Sequence, residues 1–187
     1  MNTLLTALNH LNDAVNAPSL VEQLMQSRFF LMTAVIVLSC FRHRTYRNIY
    51  LAALINMPGT ILHEMSHFIV GLLLGAQPTR FNLFPKKNGD AYVMGSVSFR
   101  NIRFYNAFPA AMAPLLLLAL AYAVNLYFMH LPSVNLWQYL LFILLETIII
   151  ENSVPSPTDF RVAFSSLLGV VLYGAFLLLL LSVIVEI

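Results

Sequence analysis

The sequence predicts an all-α polytopic membrane protein of about five membrane segments, with a β-hairpin inserted after the second segment. Three observations support this fold class. Of the 187 residues, 59% are apolar and only 10% are charged, and the mean hydropathy is +0.78. The apolar residues fall into long runs separated by short polar breaks. The dipeptide Asn88-Gly89 stands between two stretches with alternating apolar residues, which is the strongest short signal of a hairpin.

Composition also limits the surroundings and the partners of the chain. A soluble domain carries roughly 25% charged residues, so a surface this poor in charge requires the lipid bilayer around most of it. The net charge of +2 provides no basic field, and no nucleic-acid partner is expected. Residues 1–27 are expected to form an interfacial segment, because leucines recur there at helical spacing. Residues 28–187 would then form a single membrane-embedded domain.

The first two apolar segments differ in length. Residues 29–41 rise only about 20 Å as a helix, less than the roughly 30 Å of hydrocarbon in a bilayer. Residues 49–76 are long enough to cross, and a kink or an unwound turn is expected at Pro58-Gly59. Gly71 and Gly75 are expected to let a neighbouring helix pack closely against this segment.

The rest of the chain alternates between polar and apolar stretches. Residues 77–104 contain the expected hairpin. Three further membrane helices are predicted over residues 105–129, 136–150 and 162–185. A polar, proline-rich break over residues 151–159 separates the last two. Pro155 and Pro157 are expected to keep this break from forming regular helix, which leaves its backbone free to line a cavity.

One motif in the second segment carries chemistry. Residues 63–67 read His-Glu-Met-Ser-His and match the pattern H-E-x-x-H. Because His63 and His67 are four residues apart, they lie on one helix face and can bind one Zn²⁺. Glu64 would then face a metal-bound water and accept its proton. Ionisable groups at bilayer depth cost about 2.5–3.5 kcal/mol each, and metal binding in a water-filled cavity would offset that cost.

The third metal ligand is less obvious from the residues. A catalytic zinc usually has three protein ligands and one open position. The acidic candidates are Glu146, Glu151 and Asp159. Because the third segment leads away from the histidines and the fourth returns, the break after the fourth segment would lie beside the metal. Asp159 or Glu151 therefore fits better than Glu146, and Asp159 has the alternative role of capping the last helix.

The chain resembles the site-2 protease family of intramembrane zinc metalloproteases. That family pairs H-E-x-x-H with the motif N-x-x-P-x-x-x-L-D-G about a hundred residues later. Residues 152–155 match the first half of the second motif, and Ala113-Pro114 stands in place of the family's Gly-Pro. Asp159 follows Asn152 by seven residues where the family has eight, and the adjoining leucine and glycine are absent. The resemblance covers most of the chain and is to a compact member without a PDZ or CBS domain.

The resemblance implies an enzyme that hydrolyses peptide bonds of membrane-protein or membrane-peptide substrates in or near the bilayer. In it, His63, His67 and Asp159 would hold Zn²⁺ and Glu64 would act as the general base. Asn152 would hydrogen-bond the substrate or the oxyanion, or would only cap the helix break.

A helical substrate must unwind before a peptide carbonyl can be attacked, because its backbone groups are bonded internally. Gly95, Ser96 and Val97 are predicted to bind the unwound segment as an added β-strand. The alternative is that the hairpin only plugs the mouth of the cavity.

Orientation and two other functions stay open. Five basic residues on the hairpin side, against Arg42, Arg44 and Arg47 at the other end, favour an active site toward the cytoplasm. We expect a bacterial-type cell membrane. The two other functions are a catalytically inactive zinc-binding regulator and a small metal or proton transporter. The sequence does not determine the oligomeric state.

Overall fold

The structure is a computed structural model that describes residues 2–15, 17–45, 48–88 and 91–185. Most of this part of the chain is helical, as predicted. The helices are α1 (Asn2–Val15), α2 (Pro18–Gln26), α3 (Arg28–Thr45), α4 (Ile49–Leu73), α5 (Phe104–Ala111), α6 (Leu116–Met129), α7 (Leu136–Glu151), α8 (Pro157–Ala163) and α9 (Leu167–Val185), with a 3₁₀ turn at Ala113–Leu115. The strands are β1 (Pro78–Asn82), β2 (Lys86–Asn88), β3 (Ala91–Val93) and β4 (Ser96–Phe99).

The predicted hairpin after the second long segment is confirmed. β1 pairs with β4, and β2 pairs with β3, both antiparallel, so one short ladder continues the other. In the outer ladder Phe81 lies opposite Val97, and at the tip Asn88 lies opposite Ala91. The turn residues Gly89 and Asp90 lie outside the described residues. The hairpin folds back so that β4 contacts α4.

Helix α4 is the central element, and it differs from the predictions at two points, the unwound turn expected as one alternative at Pro58-Gly59 and the neighbour of Gly71. The helix runs through Pro58 without an unwound turn. Gly71 does not admit another helix. A Cβ atom there would overlap the Phe99 ring, so this glycine lets β4 approach α4. Gly75 has φ of 70° and ends the helix in a Schellman motif, in which the Ala76 N–H donates to the Gly71 carbonyl at 2.8 Å.

Two of the later segments are bent. The third is broken at Met112, and its two helical parts meet at 45°. The last predicted segment, residues 162–185, was placed wrongly, because the helix α9 begins at Leu167 and meets the separate short helix α8 at 91°. Pro157 does not prevent helix as predicted. It occupies the first turn of α8, where its missing N–H costs nothing.

No single helix in the described part of the chain combines the length and apolar character needed to cross a membrane. The two bent pairs, α5 with α6 and α8 with α9, meet that requirement by length and composition when each pair is taken together.

The core lies along α7, which packs against α3, α4 and α6. One buried cluster contains Leu117, Ala121 and Ile149 and joins α6 to α7. A second contains Phe128, Tyr139 and Ile143, and side chains of α2 and α3 pack against it. Helix α2 therefore packs against α3 and α7. This packing holds the end of α7 beside the middle of α4, where the candidate site lies.

Candidate metal centre

Five polar residues of α4 form one stripe on a mostly apolar helix. Asn56, Thr60, His63, Glu64 and His67 follow one another at spacings of three, four or one residues, so they share a helix face. All five line the same cavity, and Asn56, Glu64 and His67 are buried. Because the helix is regular here, it presents the two histidines one turn apart.

The two histidines and one carboxylate converge. The Nε2 atoms of His63 and His67 are 3.2 Å apart. Asp159 Oδ2 lies 3.5 Å from His63 Nε2, and Oδ1 lies 3.4 Å from His67 Nε2. Two ligands of a tetrahedral Zn²⁺, each about 2.0–2.1 Å from the ion, are about 3.3 Å apart. His63, His67 and Asp159 therefore lie close enough to bind one metal ion.

Hydrogen bonds assign the tautomer of each imidazole. His63 Nδ1 lies 2.8 Å from the Asn152 carbonyl oxygen, and His67 Nδ1 lies 2.8 Å from the Ala110 carbonyl oxygen. A carbonyl oxygen only accepts, so both Nδ1 atoms carry the proton and donate it. In the neutral imidazoles both Nε2 lone pairs are then free and face each other. This is the arrangement that a metal ligand requires.

The Ala110 carbonyl is free because of a proline. In a continuous helix it would accept from the N–H four residues later, but that residue is Pro114, which has no N–H. The helix breaks at Met112, and the 3₁₀ turn containing Pro114 follows. The proline thus leaves the Ala110 carbonyl available to His67.

We expect Pro114→Ala to weaken metal binding. The new N–H at position 114 can compete with His67 for the Ala110 carbonyl, and removing such an outer partner costs about 10-fold to 100-fold in metal affinity. Zinc affinity measured by competition with a chelator checks this result. Pro132→Ala, in the exposed turn after α6, is the matched control. Equal zinc affinity in the Pro114→Ala variant and the wild type would contradict this explanation.

The Asn152 carbonyl reaches His63 because α7 ends beside α4. Asn152 is the C-cap residue of α7, and its side-chain amide donates to the Ile148 carbonyl at 2.8 Å. Gly59 of α4 permits this contact, since a Cβ atom there would overlap the Asn152 side chain. Asn152 thus has both the capping contact that was an alternative role and a place in the cavity wall.

Asp159 is presented by the first turn of α8. The Ser156 hydroxyl accepts from the Asp159 N–H at 3.2 Å, and Asp159 Oδ2 accepts from the Ser156 N–H at 2.7 Å. This reciprocal pair is a capping box, in which Ser156 is the N-cap residue. The aspartate therefore supports the helix start and faces the two histidines at the same time.

The other two acidic candidates do not converge with the two histidines. Glu151 pairs with Arg42 and accepts a hydrogen bond from the Ser39 hydroxyl at 3.0 Å, so its carboxylate is bound to α3. Glu146 lines a separate cavity that contains neither histidine. Neither joins the group of possible metal ligands found among the described residues. Arg42 also lines the cavity that contains the two histidines. In the prediction of orientation, by contrast, Arg42 was counted among the basic residues at the end of the second segment opposite to the hairpin.

The site opens into a cavity of about 950 Å³ between α4, the hairpin and the segment from Glu151 to Val162. Gly95, Ser96, Val97 and Asn152, the four residues predicted to bind substrate, all line it. A Cβ atom at Gly95 would overlap both Thr60 and Glu64, so the chain between β3 and β4 lies directly against the glutamate. A cavity of this size, with several polar groups in its wall, is typical of a ligand site.

Comparison with protein families identifies the chain. Residues 30–185 match the model of the Peptidase M50B-like family. The chain belongs to this family. The predicted membership of the site-2 protease group is thereby confirmed. No curated protein and no solved structure matches the chain significantly.

Members of the Peptidase M50B-like family are typically embedded in membranes and are metallopeptidases. Several residues that build the site in this member were not found by sequence reasoning. Asn56 and Thr60 could have been found, because polar residues at helical spacing extend the H-E-x-x-H stripe toward the N-terminus of α4. The carbonyls of Ala110 and Asn152 could not be named directly, since a backbone atom has no signature of its own.

Proposed function

We propose that this protein is a zinc endopeptidase that cleaves membrane-protein or membrane-peptide substrates in or near the bilayer. The observation that carries the proposal is the convergence of two histidine Nε2 atoms and one carboxylate on one point, with Glu64 in the same cavity. The family supports hydrolytic chemistry, and the donor set of two imidazoles and one carboxylate is one that catalytic zinc uses.

Each residue has a definite task in this proposal. His63, His67 and Asp159 hold the ion, and the Asn152 and Ala110 carbonyls fix the histidine rings. Bound Zn²⁺ would supply Lewis-acid polarisation of the scissile carbonyl and activation of a water molecule. Glu64 accepts a proton on its carboxylate and passes it to the departing amine. The buried position of Glu64 keeps bulk water away from that transfer.

The hairpin would hold the substrate in extended form. β4 pairs with β1 along one edge, and no strand among the described residues pairs with its other edge. Ser96 and Val97 of β4 line the cavity, so an unwound substrate segment can add to β4 as a further strand. The contact of Gly95 with Glu64 then sets the distance between that strand and the general base.

We expect Gly95→Ala to slow cleavage about 10-fold to 100-fold without loss of the metal. The added methyl group would push the hairpin away from Thr60 and Glu64, and a displacement of about 1 Å at a reacting centre has an effect of this size. Gly174→Ala in α9 is the matched control, because a Cβ atom there meets no other atom within 4 Å. A cleavage rate unchanged by Gly95→Ala would argue against this use of the hairpin.

The proposal includes placement in a membrane. Composition and the family support it, and the exposed surfaces of α6 and α9 are largely leucine, phenylalanine and tyrosine. We retain the expectation that the active site faces the cytoplasm of a bacterial-type cell. That expectation rests on five basic residues on the hairpin side against three at the other end. Arg42 is one of the three, and its pairing with Glu151 reduces its weight in this comparison.

Metal removal tests the proposed function. Purified protein in lipid vesicles is mixed with a panel of labelled single-span membrane peptides, and cleavage is followed by mass spectrometry. We expect a zinc chelator to abolish cleavage and added Zn²⁺ to restore it. Cleavage that persists after complete zinc removal would contradict the mechanism. Zinc binding with no cleavage of any peptide would favour a regulator, and zinc flux into the vesicles a transporter.

A further inference from the structure

A second cavity of about 270 Å³ lies between α3, α6 and α7. Its apolar wall is formed by Val35, Phe142, Ile143 and Ile150, and its polar wall by Ser39, Asn125, Glu146, Thr147 and Glu151. Among the described residues, only Glu151 lines both this cavity and the catalytic one. The second cavity is therefore a separate site that shares one wall with the catalytic cavity.

Glu146 stands out in this cavity. Its Oε1 atom is buried and makes no hydrogen bond, and it is the only such side-chain atom in the described part of the chain. Two neighbouring hydroxyl groups of the polar wall donate their hydrogen bonds elsewhere. The Thr147 hydroxyl donates to the Ile143 carbonyl, and the Ser39 hydroxyl donates to Glu151. A buried polar atom without a partner is destabilising, and an ionisable group inside a membrane usually has a functional partner.

The surroundings of Glu146 indicate the chemistry of that partner. A buried carboxyl oxygen beside apolar walls fits an alkylammonium group, whose methylene chain packs on the walls while its charge meets the carboxylate. A lysine side chain has this form.

The source of the lysine is a different protein. The chain has only two lysines, Lys86 and Lys87, and both lie on strand β2 of the hairpin, so a second copy has no helix with a lysine to offer. Around the cavity, Val35 and Ile150 are exposed, and so is Met32 one turn earlier on α3. These side chains offer an apolar surface on which a helix in the bilayer can pack.

We propose that this cavity is a docking site for a membrane helix of a partner protein, whose lysine side chain enters it and pairs with Glu146. This inference rests on the proposed membrane placement and is independent of catalysis. The docked helix would lie beside Glu151, on the wall shared with the catalytic cavity.

The test uses two synthetic membrane peptides of leucine and alanine in phosphatidylcholine vesicles. One carries a single lysine at the depth of Glu146, and the other carries norleucine there, which has the same chain without the ammonium group. Energy transfer from labelled wild-type protein measures their association. We expect the lysine peptide to bind at least about tenfold more tightly. Glu146→Gln should remove this preference, whereas Glu22→Gln, an exposed glutamate of α2, should retain it.

Three results would overturn the proposal. Equal association of the two peptides with the wild-type protein would show that the cavity does not select an ammonium group, and this comparison needs no variant. A lysine preference that survives in Glu146→Gln would place the binding elsewhere. Association between labelled copies of the protein that requires Glu146 and no peptide would assign the cavity to a second copy. Zinc content equal to that of the wild type checks that Glu146→Gln is folded.

Discussion

Replacing Glu64 by glutamine is expected to slow peptide-bond cleavage by about 10²-fold to 10⁴-fold and to leave the metal bound. This is the range that a positioned general base contributes to a reaction. Glutamine preserves the size of the side chain and the packing against Gly95, but its amide cannot accept the proton. The two histidines and Asp159 are unchanged, so metal affinity should differ little from that of the wild type.

The measurement compares single-turnover cleavage of one membrane peptide by the two proteins, with zinc content determined on the same samples. Glu22→Gln is the matched control, because it makes the same substitution on an exposed face of α2. A zinc-loaded Glu64→Gln protein that cleaves as fast as the wild type would remove Glu64 from the mechanism. Loss of zinc from this variant would instead show that Glu64 supports the metal.

Local patterns predicted the parts of the fold that depend on local physics. The apolar segment over residues 136–150 corresponds to α7, Leu136–Glu151, because helical hydrophobic runs end where polar and proline residues begin. The hairpin followed from Asn88-Gly89 and from alternation in the strands. The short helix α8 was missed, although Ser156 and Asp159 have the spacing of a capping box and Pro157 stands at a position where helices often begin.

The glycines show what a single sequence cannot reveal. Gly59, Gly71 and Gly95 were read as a helix break, a helix-packing site and part of a strand. In the structure all three permit close approach, to Asn152, Phe99 and Glu64 respectively. The reason is physical, because the partner of a glycine lies elsewhere in the chain and tertiary packing alone brings it near.

The metal site also combines residues that local sequence predicts with a residue that only tertiary packing places. His63, Glu64 and His67 follow from the geometry of one helix, so their common face was predictable. Asp159 depends on the return of α7 and on the first turn of α8, and spacing alone left Glu151 and Glu146 open. Arg42 removes the ambiguity for Glu151, because an arginine on α3 binds that carboxylate, and no local pattern indicates this pairing.

The largest expected effect on metal binding comes from Asp159→Asn. Asparagine can still accept the Ser156 N–H and keep the start of α8, but it lacks the charge of a carboxylate ligand. Loss of an outer partner costs about 10-fold to 100-fold in metal affinity, so loss of a direct ligand should cost more than about 100-fold. Glu151→Gln is the control, because Glu151 pairs with Arg42 and not with the histidines.

Zinc stoichiometry at equilibrium, measured over a series of buffered zinc concentrations, tests the central claim most directly. The proposed centre predicts one zinc ion per chain in the wild type and in Glu151→Gln. It predicts occupancy in Asp159→Asn only at zinc concentrations more than about 100-fold higher. Full-affinity zinc in Asp159→Asn together with its loss in Glu151→Gln would move the third ligand to Glu151. A wild-type protein that binds no zinc would contradict the metal centre altogether.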